Sequence, residues 1–512
     1  MATWYLIRVT DEYLKLILTA PVYDVARYTR LDLAEGLSRR HGNRIWLKRE
    51  DTQPGFSYKL RCAYNLVASL RPDQLANGVI AASAGNHAQG VALAARKIGT
   101  HAVIVMPKTT PEIKVEAVRR LGAEIFLHGN TYDEASEHAV ALGQKRGMTF
   151  IHPFDHPLII AGQGTVGMEI LRQHPQPIHA IFVPVGGGGL IAGVAAYVKQ
   201  LVPQTRIVGV EPAEAASMKA ALDAGERVRL ARIGIFADGA AVRQVGVEPF
   251  RLARQYVDEV MVVSNDEICA AIKDMFEDTR VISEPAGALA VAGLKQHVAR
   301  EHASGQELVA IFSGANVNFD RLRHIAELAE LGEHREALLA VAIPERPGSF
   351  RKFCHALGPR SVTEFNYRYA DPRKARVFAG VQLKHGEQEK QALIENLRAK
   401  DYDVTDLSAD ETAKMHVRYM VGGHVAGVDN ERVFRVELPE RPGALLRFLS
   451  EVGDRWNISM FHYRNHGAAY GRVLLGLQVP PADASGFAEF LQKLDMPVVE
   501  ETGNPAYELF LR

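Results

Sequence analysis

The chain has 512 residues, 47% of them hydrophobic and 23% charged, with 60 basic side chains balanced by 60 acidic ones. That length accommodates two to four domains of about 100–200 residues and a large core. A net charge of zero argues against general nucleic-acid binding or an anionic membrane surface, and the apolar content argues against disorder.

The first 18 residues carry Arg8, Asp11, Glu12 and Lys15, so they lack the apolar stretch of a signal peptide. Nowhere does an uncharged apolar run reach the ~18 residues of a membrane span. From about residue 43 to 320 short β-branched runs alternate with helix-period segments. Predicted strands fall at 45–47, 78–81, 102–106, 124–127, 180–185, 206–210 and 308–312. Predicted helices lie between them at 58–70, 88–97, 111–121, 132–145 and 190–201. Apolar runs without alternation suit strands covered on both faces, hence an open, mostly parallel α/β sheet. Ligands in such folds sit at the C-terminal ends of strands.

The texture changes near Glu327. Residues 327–336 are polar and helical, and beyond them strands alternate, as at 432–438. The tail also repeats itself. PERPG at 344–348 recurs at 439–443, and Phe365-Asn366-Tyr367-Arg368 is matched by Phe461-His462-Tyr463-Arg464. Two matches in near-register make duplication a better explanation than chance. The expected organisation is a catalytic domain at 1–328, a linker at 329–336, an α+β module at 337–409, a connector at 410–430 and a second module at 431–503.

Gly186, Gly187, Gly188, Gly189 and Leu190 join the strand IFVPV to an apolar helix. A flexible linker would not sit there, whereas backbone N–H groups converging at a helix N-terminus cradle a phosphate. No Lys follows as in a P-loop. A dinucleotide fingerprint competes: Gly187, Gly189 and Ala192 fit GxGxxA, with Glu211 at a suitable distance. Lys59 follows the turn-forming Pro54-Gly55 and opens a helix; a solvated lysine is the plain reading, but a partly desolvated amine at a crevice suits a Schiff-base lysine. Lys48, Arg49, Glu50 and Asp51 just upstream are taken as a surface charge run.

Ser83, Ala84, Gly85, Asn86 and His87 lie between a strand and a helix. They suit a helix cap, and their N–H groups also suit a substrate carboxylate, with the Asn86 amide free to donate to a phenolic oxygen. Ser313 ends the strand LVAIF in the same manner, as a cap or as a neutral partner for a ring nitrogen. His152 and His156 have helical metal-pair spacing, but Pro153 and Pro157 argue for a structural loop. Glu284 before Pro285 reads as a helix start. Cys62, Cys269 and Cys354 are odd in number and widely spaced, which supplies no disulfide framework and points to a reducing cytoplasm.

Taken together, FSYKLR, ASAGNHAQG, HPFD with AGQGT, VPVGGGGL, SEPAGA and SGAN resemble, in this order, pyridoxal-phosphate enzymes of the tryptophan-synthase-β type. With the duplicated tail, nearly the whole chain resembles the biosynthetic threonine ammonia-lyases (threonine dehydratases). The resemblance implies pyridoxal 5′-phosphate held by Lys59, its phosphate on Gly186 to Leu190, its 3′ oxygen at Asn86 and its ring nitrogen at Ser313, and it offers Glu284 a place near the cofactor as the alternative to a plain helix start. Related racemases carry a second serine before GNH where this chain has Ala84, and a metal-ligating Asp where it has Ser217, so neither racemisation nor a metal is expected.

The implied reaction converts L-threonine, with L-serine as a further candidate substrate, to the 2-oxo acid and ammonia, on the path to isoleucine. The tail modules resemble ACT-like regulatory domains, which implies inhibition by isoleucine and opposing activation by valine. Each PERPG turn places N–H groups beside Arg346 or Arg441, a corner suited to an amino-acid carboxylate, and Tyr367 and Tyr463 on the next strand suit either a wall for an aliphatic side chain or core packing. A homotetramer is implied as well. The competing readings are a catabolic serine/threonine dehydratase, an NAD-dependent oxidoreductase built on Gly187, Gly189 and Glu211, and an amino-acid sensor with a decayed enzyme.

Overall fold

Val79–Ala82, Ala102–Met106 and Ala180–Pro184 are buried at every position, the pattern of strands covered on both faces. The computed structural model describes residues 12–332, 335–410, 413–414, 417, 420, 425, 427–439, 444–464, 470–494, 496–504, 507 and 511. The chain divides into two units, Met1–Gly332 and Glu333–Arg512.

Among the described residues, ten strands belong to the first unit: β1 Leu31–Leu33, β2 Arg44–Arg49, β3 Val79–Ala82, β4 Ala102–Met106, β5 Glu124–Leu127, β6 Thr149–Phe150, β7 Ala180–Pro184, β8 Arg206–Pro212, β9 Glu259–Val263 and β10 Glu307–Phe312. One open sheet was expected, but the strands divide between two. The larger runs β1-β2-β10-β7-β8-β9 and the smaller β5-β4-β3-β6. Every pairing is parallel except the edge pair β1–β2. The Lys59–Ala68 and Asn86–Ile98 helices pack on the small sheet around Val79, Ala81, Ile104 and Met106. Beneath the large sheet, Ile181, Val183, Ile207 and Val309 form a second core with Leu190, Val194 and Val198 of the Gly189–Leu201 helix. The Pro157–Gln173 helix, absent from the predicted set, is buried along most of its length.

The second unit contains β11 Glu336–Pro344, β12 Val362–Arg368, β13 Lys374–Gln382, β14 Asp403–Asp406, β15 Glu431–Pro439, β16 Asn457–Arg464, β17 Tyr470–Gln478 and β18 Val498–Glu500. They form one sheet in the order β14-β11-β13-β12-β16-β17-β15-β18 among the described residues. The two halves repeat one topology and meet edge to edge. Phe365 pairs with Tyr463, Asn366 with His462 and Tyr367 with Phe461. Because positions 96 apart are equivalent in the repeat, Asn366–His462 marks a pseudo-twofold axis. Joining β12 to β16 removes the edge that each half would otherwise expose. Residues 329–332, expected in a linker, are the end of the Leu322–Gly332 helix, and β11 starts at Glu336.

Candidate active site

Four segments meet at the C-terminal ends of β2, β3, β7 and β10. Lys59 is the first residue of its helix, and its Nζ lies 5.2 Å from the centre of the Tyr58 ring. Behind it, Gly90 allows close helix contact, since a Cβ there would stand 2.8 Å from the Lys59 carbonyl oxygen. Tyr58 N donates to Ser313 O, Ala315 N donates to Phe56 O, and Ser57 bridges to Gly314, so the Lys59 segment is stitched to the end of β10. Burial pulls the Lys59 amine's pKa down, but Tyr58 and Cys62 outweigh it and the net shift is upward. Burial is the influence the sequence reading anticipated and favours the neutral amine, while Tyr58 and Cys62, themselves pushed upward by burial, oppose it only when ionised.

Ser83, Ala84 and Gly85 turn from β3 into the Asn86–Ile98 helix, and a Cβ at Gly85 would meet nothing within 4 Å. This loop therefore opens onto free space beside a helix N-terminus. His87 is turned away, with Nε2 3.1 Å from Ile151 O, and burial with Lys59 nearby pushes its pKa down to about 3. It is a neutral packing residue whose contribution to the loop is its backbone.

The glycine run follows β7. Gly188 takes φ +90°, in the left-handed region, and Gly189 opens the next helix. A Cβ at Gly187 would lie 2.2 Å from the Phe154 ring, so a side chain would obstruct the loop. Leu190 is buried in the core below. On the facing side Ser313, 4% exposed, ends β10.

Glu284, for which the resemblance allowed a place near the cofactor, completes the crevice with Asn316 and Gln163, to which sequence reasoning gave no role. Glu284 is the predicted helix start, but its Oε1 also accepts from Asn86 Nδ2 at 2.7 Å. Burial, with the Asp238 charge adding to it, pushes its pKa up to about 7. Asn316 Nδ2 donates to Asn86 Oδ1 at 2.6 Å and to Gly55 O at 2.8 Å. Gln163 holds a buried carboxamide without a hydrogen-bond partner, its Oε1 2.5 Å from where a Gly189 Cβ would be. Long sequence separation conceals these contacts.

Two expectations are corrected. Lys48, Arg49, Glu50 and Asp51 are not a surface run: all four are at most 5% exposed. Lys48 bonds Glu169 and Arg61 bonds Glu50, while Arg49 pairs with Asp51. Glu211, the candidate ribose ligand, is fully buried and accepts the N–H groups of Met218 and Lys219 at 2.8 Å each. Its carboxylate is thus engaged by the helix start at residues 217–219, so the dinucleotide reading loses its acidic residue. His152 accepts the Asp155 N–H from a loop, and His156 caps the Pro157–Gln173 helix. Among the described residues no group of three His, Cys, Asp or Glu side chains is arranged to hold a metal ion, and no helix is long and apolar enough to cross a membrane.

In the second unit Arg346 lines a shallow, partly open depression with enclosed room for about one water molecule, together with Phe350, Leu449, Trp456, Asn457 and Ile458. Tyr367 is 3% exposed, meets the Phe350 ring edge-to-face with centroids 4.9 Å apart and bonds Glu345 through its hydroxyl. Tyr463 shares the same core. Arg441 lies outside the described residues.

Comparison with known proteins identifies this arrangement. The pyridoxal-phosphate dependent enzyme family matches residues 22–314, and the C-terminal regulatory domain of threonine dehydratase matches residues 327–417 and 422–511. The biosynthetic L-threonine dehydratase of Burkholderia multivorans is 56% identical over 98% of this chain and 99% of its own length. That of Escherichia coli is 53% identical over 98% and 97%. The chain belongs to the biosynthetic threonine dehydratases. Among solved structures, the processed threonine deaminase isoform 2 of Solanum lycopersicum is 51% identical with a TM-score of 0.62, covering 63% of this chain and 89% of that one. Maize serine racemase is 32% identical with a TM-score of 0.57, covering 61% and 95%.

The family depends on pyridoxal phosphate, and the crevice fits that group. It has a primary amine at its floor, a side-chain-free loop on a helix N-terminus, a buried carboxamide without a partner beside that loop, and free space next to Gly85.

Proposed function

We propose that this chain deaminates L-threonine to 2-oxobutanoate and ammonia, the committing step toward isoleucine, and that its second unit is the receptor for the controlling amino acids. The observation that carries the reading is the meeting of Lys59, the glycine loop, the residue 83–87 loop and Ser313 at adjoining strand ends.

Lys59 would hold the cofactor covalently, with the N–H groups of Gly186, Gly187, Gly188, Gly189 and Leu190 on its phosphate, Asn86 on its phenolic oxygen and Ser313 at its ring nitrogen. Bound pyridoxal phosphate supplies the electron sink that accepts the charge left when a Cα proton departs. The N–H groups of residues 83–87 receive the threonine carboxylate and orient Cα toward Lys59. The freed Lys59 amine takes the Cα proton as general base. Ser313 offers a hydroxyl where a carboxylate would hold the ring nitrogen protonated, which favours loss of the β-hydroxyl over transamination. The β-hydroxyl leaves as water, taking up one proton to balance the one removed from Cα, and the released enamine hydrolyses to 2-oxobutanoate and ammonia. Ala84 leaves the opposite face without a second proton carrier, which directs the site to elimination rather than racemisation. L-Serine is a smaller substrate of the same chemistry.

Arg346 supplies a cationic wall of the second-unit depression and Phe350 an apolar one, the chemistry an aliphatic amino acid would meet once the walls part to admit it. Isoleucine binding there lowers activity and valine opposes it; Arg441 is the repeat-related counterpart of Arg346. Tyr367 backs the Phe350 wall. The working form is a cytoplasmic homotetramer. The test is direct: the purified chain must be yellow, release 2-oxobutanoate from L-threonine and lose rate as isoleucine is added. A colourless chain that binds NAD instead would overturn the reading.

A further inference from the structure

Asn316 holds two segments that sequence separates widely. Its Nδ2 donates to Gly55 O at 2.8 Å, on the turn preceding Lys59, and to Asn86 Oδ1 at 2.6 Å. The orientation of both amides follows from the backbone outward. A carbonyl oxygen only accepts, so the Asn316 atom facing Gly55 O is the nitrogen. That same nitrogen faces Asn86, which must therefore present its oxygen. The Asn86 nitrogen is then turned to Glu284 Oε1 at 2.7 Å. Both hydrogens of the Asn316 amide are engaged, and one hydrogen of the Asn86 amide remains free. No choice of amide flip satisfies these contacts equally well: reversing Asn86 would set nitrogen against nitrogen at Asn316 and oxygen against oxygen at Glu284, unless that carboxyl turned its proton toward it.

We propose that Asn316 is a positioning residue: it locks the Asn86 carboxamide so that an N–H is available to the phenolic oxygen of the cofactor, and ties that group to the Lys59 turn. The proposal rests on the role given to Asn86 under the proposed function. Asn316 itself need not touch substrate or cofactor. Its backbone setting is rigid, because Ala315 N donates to Phe56 O and Val317 N to Ala315 O at 2.9 Å each. Small movements of the β10 end therefore carry over to both Gly55 and Asn86.

The test uses full-length Asn316→Asp, Asn316→Ser, Asn86→Ala and Asn86→Ala/Asn316→Ser. Two readouts are independent of turnover: the cofactor dissociation constant by equilibrium dialysis against pyridoxal phosphate, and the visible spectrum of the bound cofactor as a function of pH. Aspartate has no donor for Asn86 Oδ1, so Asn86 turns over and loses its free N–H. Asn316→Asp should weaken cofactor binding about ten- to a hundredfold and move the spectral titration, with Asn316→Ser acting in the same direction. Serine adds no charge, so it carries the test if the aspartate variant does not fold. On the Asn86→Ala background, Asn316→Ser should add less than about twofold, because the amide it positions is gone. An undiminished further loss there would mark a merely structural role and overturn the proposal. So would wild-type affinity and spectrum in Asn316→Ser alongside a defect in Asn86→Ala. Wild-type behaviour of Asn86→Ala itself would overturn the role of Asn86, and the proposal with it.

Discussion

Arg61 lies two residues beyond Lys59 on one helix, and its guanidinium bonds Glu169 at 2.6 Å with neither side chain exposed. The rest of the guanidinium fork reaches Glu50 at 2.8 Å, and Lys48 bonds Glu169 at 2.6 Å. Two cations and two carboxylates, all fully buried, thus neutralise one another between β2 and two helices. Position 61 points away from position 59 around the helix, so this cluster fixes the helix whose other side presents Lys59. Removing one partner from such a cluster leaves an uncompensated buried charge, costing about 3–5 kcal/mol. Arg61→Met should lower the unfolding free energy by about that amount in urea titrations. A loss below about 1 kcal/mol would show that the charges relax into water instead.

This cluster also shows where the sequence was legible and where it was not. Lys59, the glycine run and the two short loops were readable because each function sits in a few consecutive residues bounded by a strand and a helix. The repeat was readable because duplication preserves spacing. The charge run at residues 48–51 was not, since its burial depends on Arg61 and on Glu169, more than a hundred positions on. Asn316 and Asn86 meet across 230 positions, and nothing local marks their contact. Likewise the split into two sheets is set by which strands pair, a choice that strand-period patterns do not encode.

Lys59→Ala should yield a colourless chain that borohydride does not label with cofactor. Threonine turnover should fall by roughly a thousandfold or more, since one group serves as both tether and base. Cofactor that stays on Lys59→Ala through denaturing dialysis after borohydride treatment would place the covalent attachment at another lysine.

Gly187 and Phe154 make a sharper test of the phosphate loop. A Cβ at Gly187 would lie 2.2 Å from the Phe154 ring, so Gly187→Ala forces either the loop or the ring to move. Overpacking of this kind costs about 1–3 kcal/mol, and cofactor affinity should drop by about tenfold or more. Phe154→Ala combined with Gly187→Ala removes the clash, and partial recovery of cofactor affinity would identify it as the cause. Equal affinity in Gly187→Ala and the parent chain would mean that the loop does not hold the phosphate.

Glu211 gives stability a pH dependence of predictable sign. Burial outweighs its two N–H bonds and pushes its pKa from 4.5 up to about 7. The folded chain then binds this proton more tightly than the unfolded chain does. The associated stability is complete below about pH 4.5 and is lost as pH rises through about 7. At full shift it amounts to something on the order of 3 kcal/mol. Melting temperatures measured from pH 5 to 8 should therefore fall more steeply for the parent chain than for Glu211→Gln. Parallel curves would show that Glu211 is ionised throughout.

The boundary at Gly332 and Glu333 leads to the last prediction, on control. The catalytic unit has its own cores around Ile104 and around Val183, and the second unit has its main core spread from Ala337 to Leu494. Each of these three cores is built of residues from one unit alone, so a chain ending at Gly332 retains the Lys59 site and the sheets that carry it. Isoleucine inhibits only if it binds the less active state better, and that difference resides wherever its receptor does. With the receptor in the second unit, the shortened chain should stay yellow and turn over threonine while its rate no longer depends on isoleucine or valine. Arg346→Ala in the full chain should weaken the response to isoleucine by about tenfold, through loss of a charge-assisted bond to its carboxylate, with turnover in its absence unchanged. Initial rates against isoleucine concentration for the three chains decide the matter. If the shortened chain responds as the full chain does, the controlling site lies among residues 1–332, and the depression beside Arg346 serves another purpose.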